Sequence, residues 1–225
     1  MCGRFTLTLD SGTIQEMLPW VMVPSNISPR YNIAPSQPVA VIPNDGLDRV
    51  DFYVWGLIPS WAKDPQIGNR LINARAETLT EKPAFRDAFH RRRCLILADG
   101  FYEWQSQGNT RSKIPYYIRL KSGRLFAFAG LWDSWHAKDG SVIHSCTIIT
   151  TQANELIRPI HNRMPVIVAE EGYSQWLETQ IQAIQMLKAW LKPFPPEEMT
   201  IDMVSDFVNN PKNDSALCIQ MTGND

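Results

Sequence analysis

The chain opens Met-Cys-Gly-Arg-Phe, so Cys2 stands directly behind the initiator methionine. A small second residue is expected to allow trimming of Met1, after which Cys2 would carry an α-amine and a thiol on one carbon. A terminal α-amine has a pKa of ~7.7–8.0 and a thiol ~8.5, so part of the amine is unprotonated near neutral pH without any tuning. Such an amine attacks an aldehyde to give an imine, and the adjacent thiol can then add to the imine carbon. The product is a five-membered thiazolidine, more stable than an open Schiff base. An internal cysteine has no amine to offer. DNA presents a suitable aldehyde at an abasic site in its ring-opened form. The plain alternative is that Cys2 is an incidental small residue.

Other residues could serve such chemistry. In LINARAETL (71–79) an extended backbone would put Asn73, Arg75 and Glu77 on one face and Ala74 and Ala76 on the other. Arginine suits two parallel hydrogen bonds to a phosphate; the same face could equally be a solvated strand surface with an ion pair. Glu103 lies in ADGFYEWQ, where alternation groups it with Phe101 and Gln105, opposite Tyr102 and Trp104. A carboxylate beside large rings is partly desolvated, its pKa rises, and it becomes suited to proton transfer. On the wet face of an edge strand it would do neither. His161 sits in RPIHNRMP, a loop stiffened by flanking prolines, where an imidazole could move protons near pH 7 or simply face solvent. Trp61 follows Gly-Leu-Ile-Pro-Ser and is either a rim-of-core indole or an exposed platform for an unpaired base, a contact worth ~1–3 kcal/mol. There is no glycine-rich phosphate loop, GxSxG elbow or HExxH helix.

Many short elements must position these groups. CGRFTLTL forms a first strand, and Thr13-Ile-Gln-Glu16 has capping-box spacing for a short helix that Pro19 ends. Two strand-like runs, 38–43 and 49–59, flank Asn44-Asp45-Gly46, a strong hairpin signal. Phe85, Ala88 and Phe89 recur at helical spacing within 82–93. Segments 94–104, 114–120, 124–132 and 141–150 are strand-like, with a turn at Lys121-Ser122-Gly123. Then follow a helix near Ala153–Arg158, a strand at Met164–Ala169, helices at Tyr173–Leu177 and Ile181–Leu191, and a last strand, ALCIQM (216–221). The expected fold is α+β: one strand-rich domain over residues 1–225, with a curved, mainly antiparallel, barrel-like sheet and short peripheral helices.

The chain has 225 residues, 44 % of them apolar, enough for a substantial core. The start lacks a basic-then-apolar leader, and the longest clean apolar run, LFAFAGLW (125–132), is too short to span a bilayer. A soluble, cytoplasmic protein is expected, nucleoid-associated if bacterial, with no membrane association. Four scattered cysteines form no CxxC pair, which suits neither a disulfide framework nor a metal site, and no cofactor is expected. Net charge is −1, but residues 1–120 hold 14 Lys and Arg against 11 Asp and Glu, and the remainder 8 against 12. That asymmetry hints at a local anion-binding face in the first half.

Seven motifs in order carry a resemblance: MCGRF, RYNIAPSQ (30–37), WGLIPSWA (55–62), INARAET (72–78), ADGFYEW (98–104), IHNRMP (160–165) and VNNPKND (208–214). Together they resemble the SOS-response-associated peptidase family, also called abasic-site-processing proteins, over nearly the whole chain. The resemblance implies a thiol-dependent, lyase-type activity that forms a covalent thiazolidine between the N-terminal cysteine and an abasic site in single-stranded DNA, shielding the lesion. It implies Cys2 as the crosslinking residue, Asn73 as a hydrogen-bonding guide for the sugar or amine, Glu103 as a proton carrier, and His161 as the promoter of sugar ring opening. Arg4 and Arg75 would hold flanking phosphates, with Asn32, Pro35 and Trp61 along the strand path. A monomer is expected, and the family name implies peptidase activity, plausible as autocatalytic removal of Met1. Two rival classes remain at this point. N-terminal-nucleophile glutamine amidotransferases also begin Met-Cys-Gly, though with apolar residues where this chain has Arg4-Phe5. A non-covalent single-strand binder would make no use of the thiol.

Overall fold

A computed structural model describes residues 2–108, 113–180 and 184–222. Among these, the strands are β1 (Phe5–Leu7), β2 (Arg30–Ile33), β3 (Pro38–Pro43), β4 (Asp51–Trp55), β5 (Asn73–Arg75), β6 (Arg93–Ala98), β7 (Gly100–Ser106), β8 (Lys113–Leu120), β9 (Phe126–His136), β10 (Val142–Gln152), β11 (Arg163–Pro165), β12 (Ile167–Val168) and β13 (Met199–Met203). Short helices α1 (Ser11–Met17), α2 (Pro83–Arg91), α3 (Tyr173–Leu177) and α4 (Ile184–Lys188) surround them. The result is the expected strand-rich α+β architecture.

The predicted hairpin forms: β3 and β4 pair antiparallel from Pro38↔Val54 to Val41↔Asp51, and Gly46 in the connection takes φ +80°. From this hairpin a ring closes. β4 pairs β10 in parallel, β3 pairs β6, β6 pairs β9, and β9 returns to β10, the last three antiparallel. Closure leaves these five strands without an open edge along the ring. A second, antiparallel sheet has the order β13-β8-β7-β1-β2. Phe5 of β1 fastens the two layers, its ring 5.1 Å from that of Trp55 and 5.6 Å from that of Phe128, both edge-on. All three residues are buried in one continuous apolar cluster. Truncating such a ring would cost about 3–5 kcal/mol.

Several elements differ from the sequence reading, each for a local reason. Residues 94–104 are two strands, one per sheet, broken at Asp99. There the carboxylate accepts hydrogen bonds from Thr6 Oγ1 (2.5 Å), Thr8 N (2.5 Å) and Thr8 Oγ1 (2.6 Å). The next residue must be glycine, because a Cβ on Gly100 would lie 2.2 Å from the Tyr117 hydroxyl. The turn at 121–123 likewise crosses from β8 in one sheet to β9 in the other. α1 begins one turn earlier than the capping-box reading, at N-cap Asp10, whose Oδ1 accepts from Thr13 N at 2.8 Å. Segment 153–158 makes turns, with Asn154 bonded to Phe194 O and Ile157 N, instead of a helix. Residues 216–219 form a 3-10 turn where a strand was expected. Of the helix read at 181–191, the first three residues lie outside the described ones, and α4 ends at Lys188. Among the described residues, no helix is long and apolar enough to cross a membrane.

Candidate active site

The chain start runs beside β7: Phe5 pairs with Phe101, and Tyr102 N donates to Arg4 O at 3.0 Å. Cys2 is therefore delivered alongside Glu103. From the barrel side, β5 lies parallel to β10, with Asn73 opposite Ile148 and Ala74 fully buried. Asn73 Nδ2 then donates to the Cys2 carbonyl at 2.8 Å, while its buried Oδ1 has no hydrogen-bond partner among the described residues. The predicted face of three polar residues dissolves after Arg75, where the strand gives way to a 3-10 turn and Glu77 swings to Arg163.

Cys2 has no exposed surface, and its thiol pKa is pushed well up, by burial first and by the Glu103 charge second. Glu103 is 3 % exposed on a central strand of its sheet, which decides against the wet-edge alternative. Burial raises its pKa; the His161 charge opposes that rise. His161 arrives on the loop between β10 and β11, with Nδ1 accepting from Arg163 N at 3.0 Å. Cys2, Asn73, Glu103 and His161 thus converge, although they are spread over 160 positions of sequence.

Two hollows share His161. One, of about 350 Å³, is lined by Arg4, Glu103, Trp104, Lys113 and Asn209; the other, of about 820 Å³, by Arg75, Gln152, Arg158, Asn162 and Arg163. Five cations line these hollows, Arg4, Arg75 and Lys113 from the first half of the chain and Arg158 and Arg163 from the second, which gives the region an anion-attracting character. The Arg4 guanidinium carbon lies 5.6 Å from the Trp104 ring centroid, and Nη1 donates to Asn32 Oδ1 (2.6 Å) and Val208 O (3.0 Å).

Asn32 itself is fully buried. Its amide donates to the carbonyls of Val208, Asn210 and Asn213 at 3.2, 3.1 and 2.6 Å. Its place is behind Arg4, holding the VNNPKND segment, and its side chain faces no cleft. Trp61 is 59 % exposed, as a platform for an unpaired base would require. Its loop is seated by glycines: a Cβ on Gly56, at φ +134°, would meet Gly68 O at 2.6 Å. Ser36 Oγ in the turn after Pro35 donates to Asn69 Oδ1 at 3.1 Å, tying Pro35 to that same loop. Neither Pro35 nor Trp61 lines the two hollows. Sequence reasoning missed Trp104, Asn209, Lys113, Arg158 and Arg163 as cleft residues. For Trp104, Asn209, Arg158 and Arg163 the available signal was their position inside or beside the same motifs, since Trp104 adjoins Glu103 and Asn209 lies in VNNPKND; Lys113 lies outside every motif.

Fold and cleft together define a strand-built protein whose chain start is part of its candidate site, backed by a buried carboxylate and an imidazole. The chain belongs to the SOS response associated peptidase (SRAP) family, whose sequence model matches residues 1–211. It is 45 % identical over 227 residues to the abasic site processing protein YoqW of Bacillus subtilis (strain 168), covering 98 % of this chain and 99 % of that one. It is 31 % identical over 268 residues to the abasic site processing protein HMCES of Mus musculus, covering 97 % of this chain and 75 % of that one. Among solved structures, a protein from Bacteroides thetaiotaomicron superposes with a TM-score of 0.88 at 28 % identity, covering 98 % of this chain and all of that one.

Proposed function

We propose that this protein captures abasic sites in single-stranded DNA as a covalent thiazolidine on Cys2, once Met1 is removed. The observation that carries the reading is the 2.8 Å hydrogen bond from Asn73 Nδ2 to the Cys2 carbonyl, which fixes the buried chain start beside Glu103, itself a lining residue with His161 of one hollow. That the relatives YoqW and HMCES are abasic site processing proteins supports abasic DNA as the target.

The chemistry follows from those groups. The hemiacetal of the abasic sugar opens to an aldehyde, with His161 as proton carrier to the ring oxygen. The Cys2 amine attacks the aldehyde carbon, giving a carbinolamine that loses water to form an imine. Glu103, kept ready to hold a proton by its burial, takes one from the attacking amine and returns it to the departing hydroxyl. The Cys2 sulfur then adds to the imine carbon while the imine nitrogen takes up the thiol's proton. Aldehyde and cysteine become thiazolidine and one water, with no oxidant or reductant. The unpartnered Asn73 Oδ1 is available to accept from a sugar hydroxyl. Arg4 and Arg75 hold flanking phosphates, and Trp61 stacks on a base beyond the cleft. A missing base leaves nothing to read at the lesion, so little sequence preference follows. An unpaired strand bends into the cleft at lower cost than a duplex, hence the single-strand preference.

The family's peptidase name fits one hydrolysis that this reading requires, removal of Met1, which lies outside the described residues. The test is substitution at Cys2. Cys2→Ala abolishes a denaturant-stable adduct with an abasic oligonucleotide, and Cys2→Ser gives at most a reversible imine. An undiminished adduct in Cys2→Ala overturns the reading.

A further inference from the structure

We infer that Glu77 is a positioning residue for His161, acting through Arg163 to select the imidazole nitrogen that carries the proton. The inference rests on the reading of His161 as a proton carrier at the abasic sugar. Arg163 grips Glu77 with both arms, Nη1 to Oε1 at 2.6 Å and Nη2 to Oε2 at 3.0 Å. Nη2 also donates to the Thr150 carbonyl at 2.5 Å. A two-pronged guanidinium–carboxylate contact fixes orientation as well as distance. The Arg163 side chain is only 13 % exposed, so solvent screens its end of the pair less than that of a surface pair.

This clamp fastens one end of the histidine loop. The rest is held by His161 N donating to Ile157 O at 3.0 Å and Ala153 N donating to Asn162 O at 3.1 Å. Arg163's own main chain then flanks the ring: its N–H lies 3.0 Å from Nδ1, and its carbonyl oxygen 3.3 Å from the same nitrogen. An amide N–H can only donate, so the shorter contact makes Nδ1 an acceptor and puts the neutral ring's proton on Nε2. The carbonyl contact needs the proton on Nδ1 and competes with it. A few tenths of an ångström separate the two, and the Glu77–Arg163 clamp holds the main chain on the side of the first. His161 thereby presents an N–H donor on the face of the ring turned from Arg163.

The experiment is nitrogen NMR of the full chain with labelled histidine, with His161→Asn assigning the signal among the four histidines. Wild type at alkaline pH is expected to show the Nε2–H tautomer. Glu77→Gln, which keeps the shape and loses the charge, is expected to show a mixture, with Glu77→Asp restoring part of the preference. Adduct formation in Glu77→Gln is expected to slow by about 10- to 100-fold, as a small misplacement does. Its pH profile should also shift relative to wild type. That profile is read with the other charged groups around the ring in place: Glu103, Arg4 and Lys113 in one hollow, Arg75, Arg158 and Arg163 in the other. A wild-type Nδ1–H tautomer overturns the inference, as does a Glu77→Gln protein with unchanged tautomer and profile. If Glu77→Gln does not fold, Glu77→Asp alone decides by the same two readouts. Failure of the functional reading looks different: wild type then forms no adduct, whatever the tautomer.

Discussion

The Asn73 side-chain amide reaches from a barrel-associated strand to the main-chain carbonyl of Cys2 across 2.8 Å, joining two parts of the chain 71 residues apart. With the packing of Phe5 on Trp55 and Phe128, it ties the chain start to the barrel layer. Asn73→Leu removes both the donor and the unpartnered acceptor without adding charge. Adduct formation under single-turnover conditions should fall by about 100-fold, the scale of a 1 Å misplacement, with the circular dichroism spectrum unchanged. An unaltered rate would remove Asn73 from the mechanism.

Glu103 offers a test with a definite sign. Burial, its foremost influence, raises its folded-state pKa above the ordinary carboxylate value of 4.5. Below that value both states are protonated and nothing is lost. As pH rises towards the raised value, the unfolded chain ionises first and the folded state loses relative stability. Glu103→Gln has no such loss. Its melting temperature minus that of wild type should therefore be more positive at pH 7.5 than at pH 4, in parallel scans. Adduct formation should nevertheless drop by about 10²–10⁴-fold, the usual contribution of a positioned proton carrier. A temperature difference that does not change with pH would contradict the buried-carboxylate account.

How far the sequence alone reached can be judged from particular elements. Asn44-Asp45-Gly46 announced its hairpin because a turn with φ > 0 needs those residue types, and Phe85, Ala88 and Phe89 announced α2 because a helix repeats its buried face every 3.6 residues. The break at Asp99 was not legible. Alternation says which face a residue takes, but not which of two sheets its strand joins, and that switch depends on Thr6, Thr8 and Tyr117 arriving from elsewhere. Motifs alone singled out Cys2, Asn73, Glu103 and His161, whereas the geometry that brings them together depends on contacts between distant segments. Asn32 shows the limit: a motif residue expected along the DNA path is instead buried behind Arg4.

Arg93 should decide stability without touching the chemistry. It is fully buried, its pKa lowered by burial to about 10, and it donates to the carbonyls of Trp176, Phe89, His90 and Glu178 at the ends of α2 and α3. Arg93→Met strands those acceptors, each at about 1–3 kcal/mol if left unsatisfied. A loss of about 3 kcal/mol or more is expected in urea unfolding, with unchanged adduct yield per folded molecule. A change under 1 kcal/mol would refute the capping role.

Encounter with DNA should depend on salt and on Trp61. Arg75→Ala should reduce the slope of log affinity against log salt by about 0.7, the value for one phosphate contact on a single strand. Trp61→Ala should weaken binding to an undamaged single strand by ~1–3 kcal/mol. Fluorescence anisotropy from 50 to 300 mM salt measures both, and the finished adduct should survive the high-salt wash. Equal slopes for wild type and Arg75→Ala would take Arg75 off the phosphate path.

The most direct measurement is the intact mass of the protein–DNA product, followed by peptide mapping. The expected mass is that of the chain without Met1 plus the abasic oligonucleotide, minus one water, with the DNA on the peptide that begins at Cys2. A product that retains Met1, or that carries the DNA on a lysine, would contradict the account.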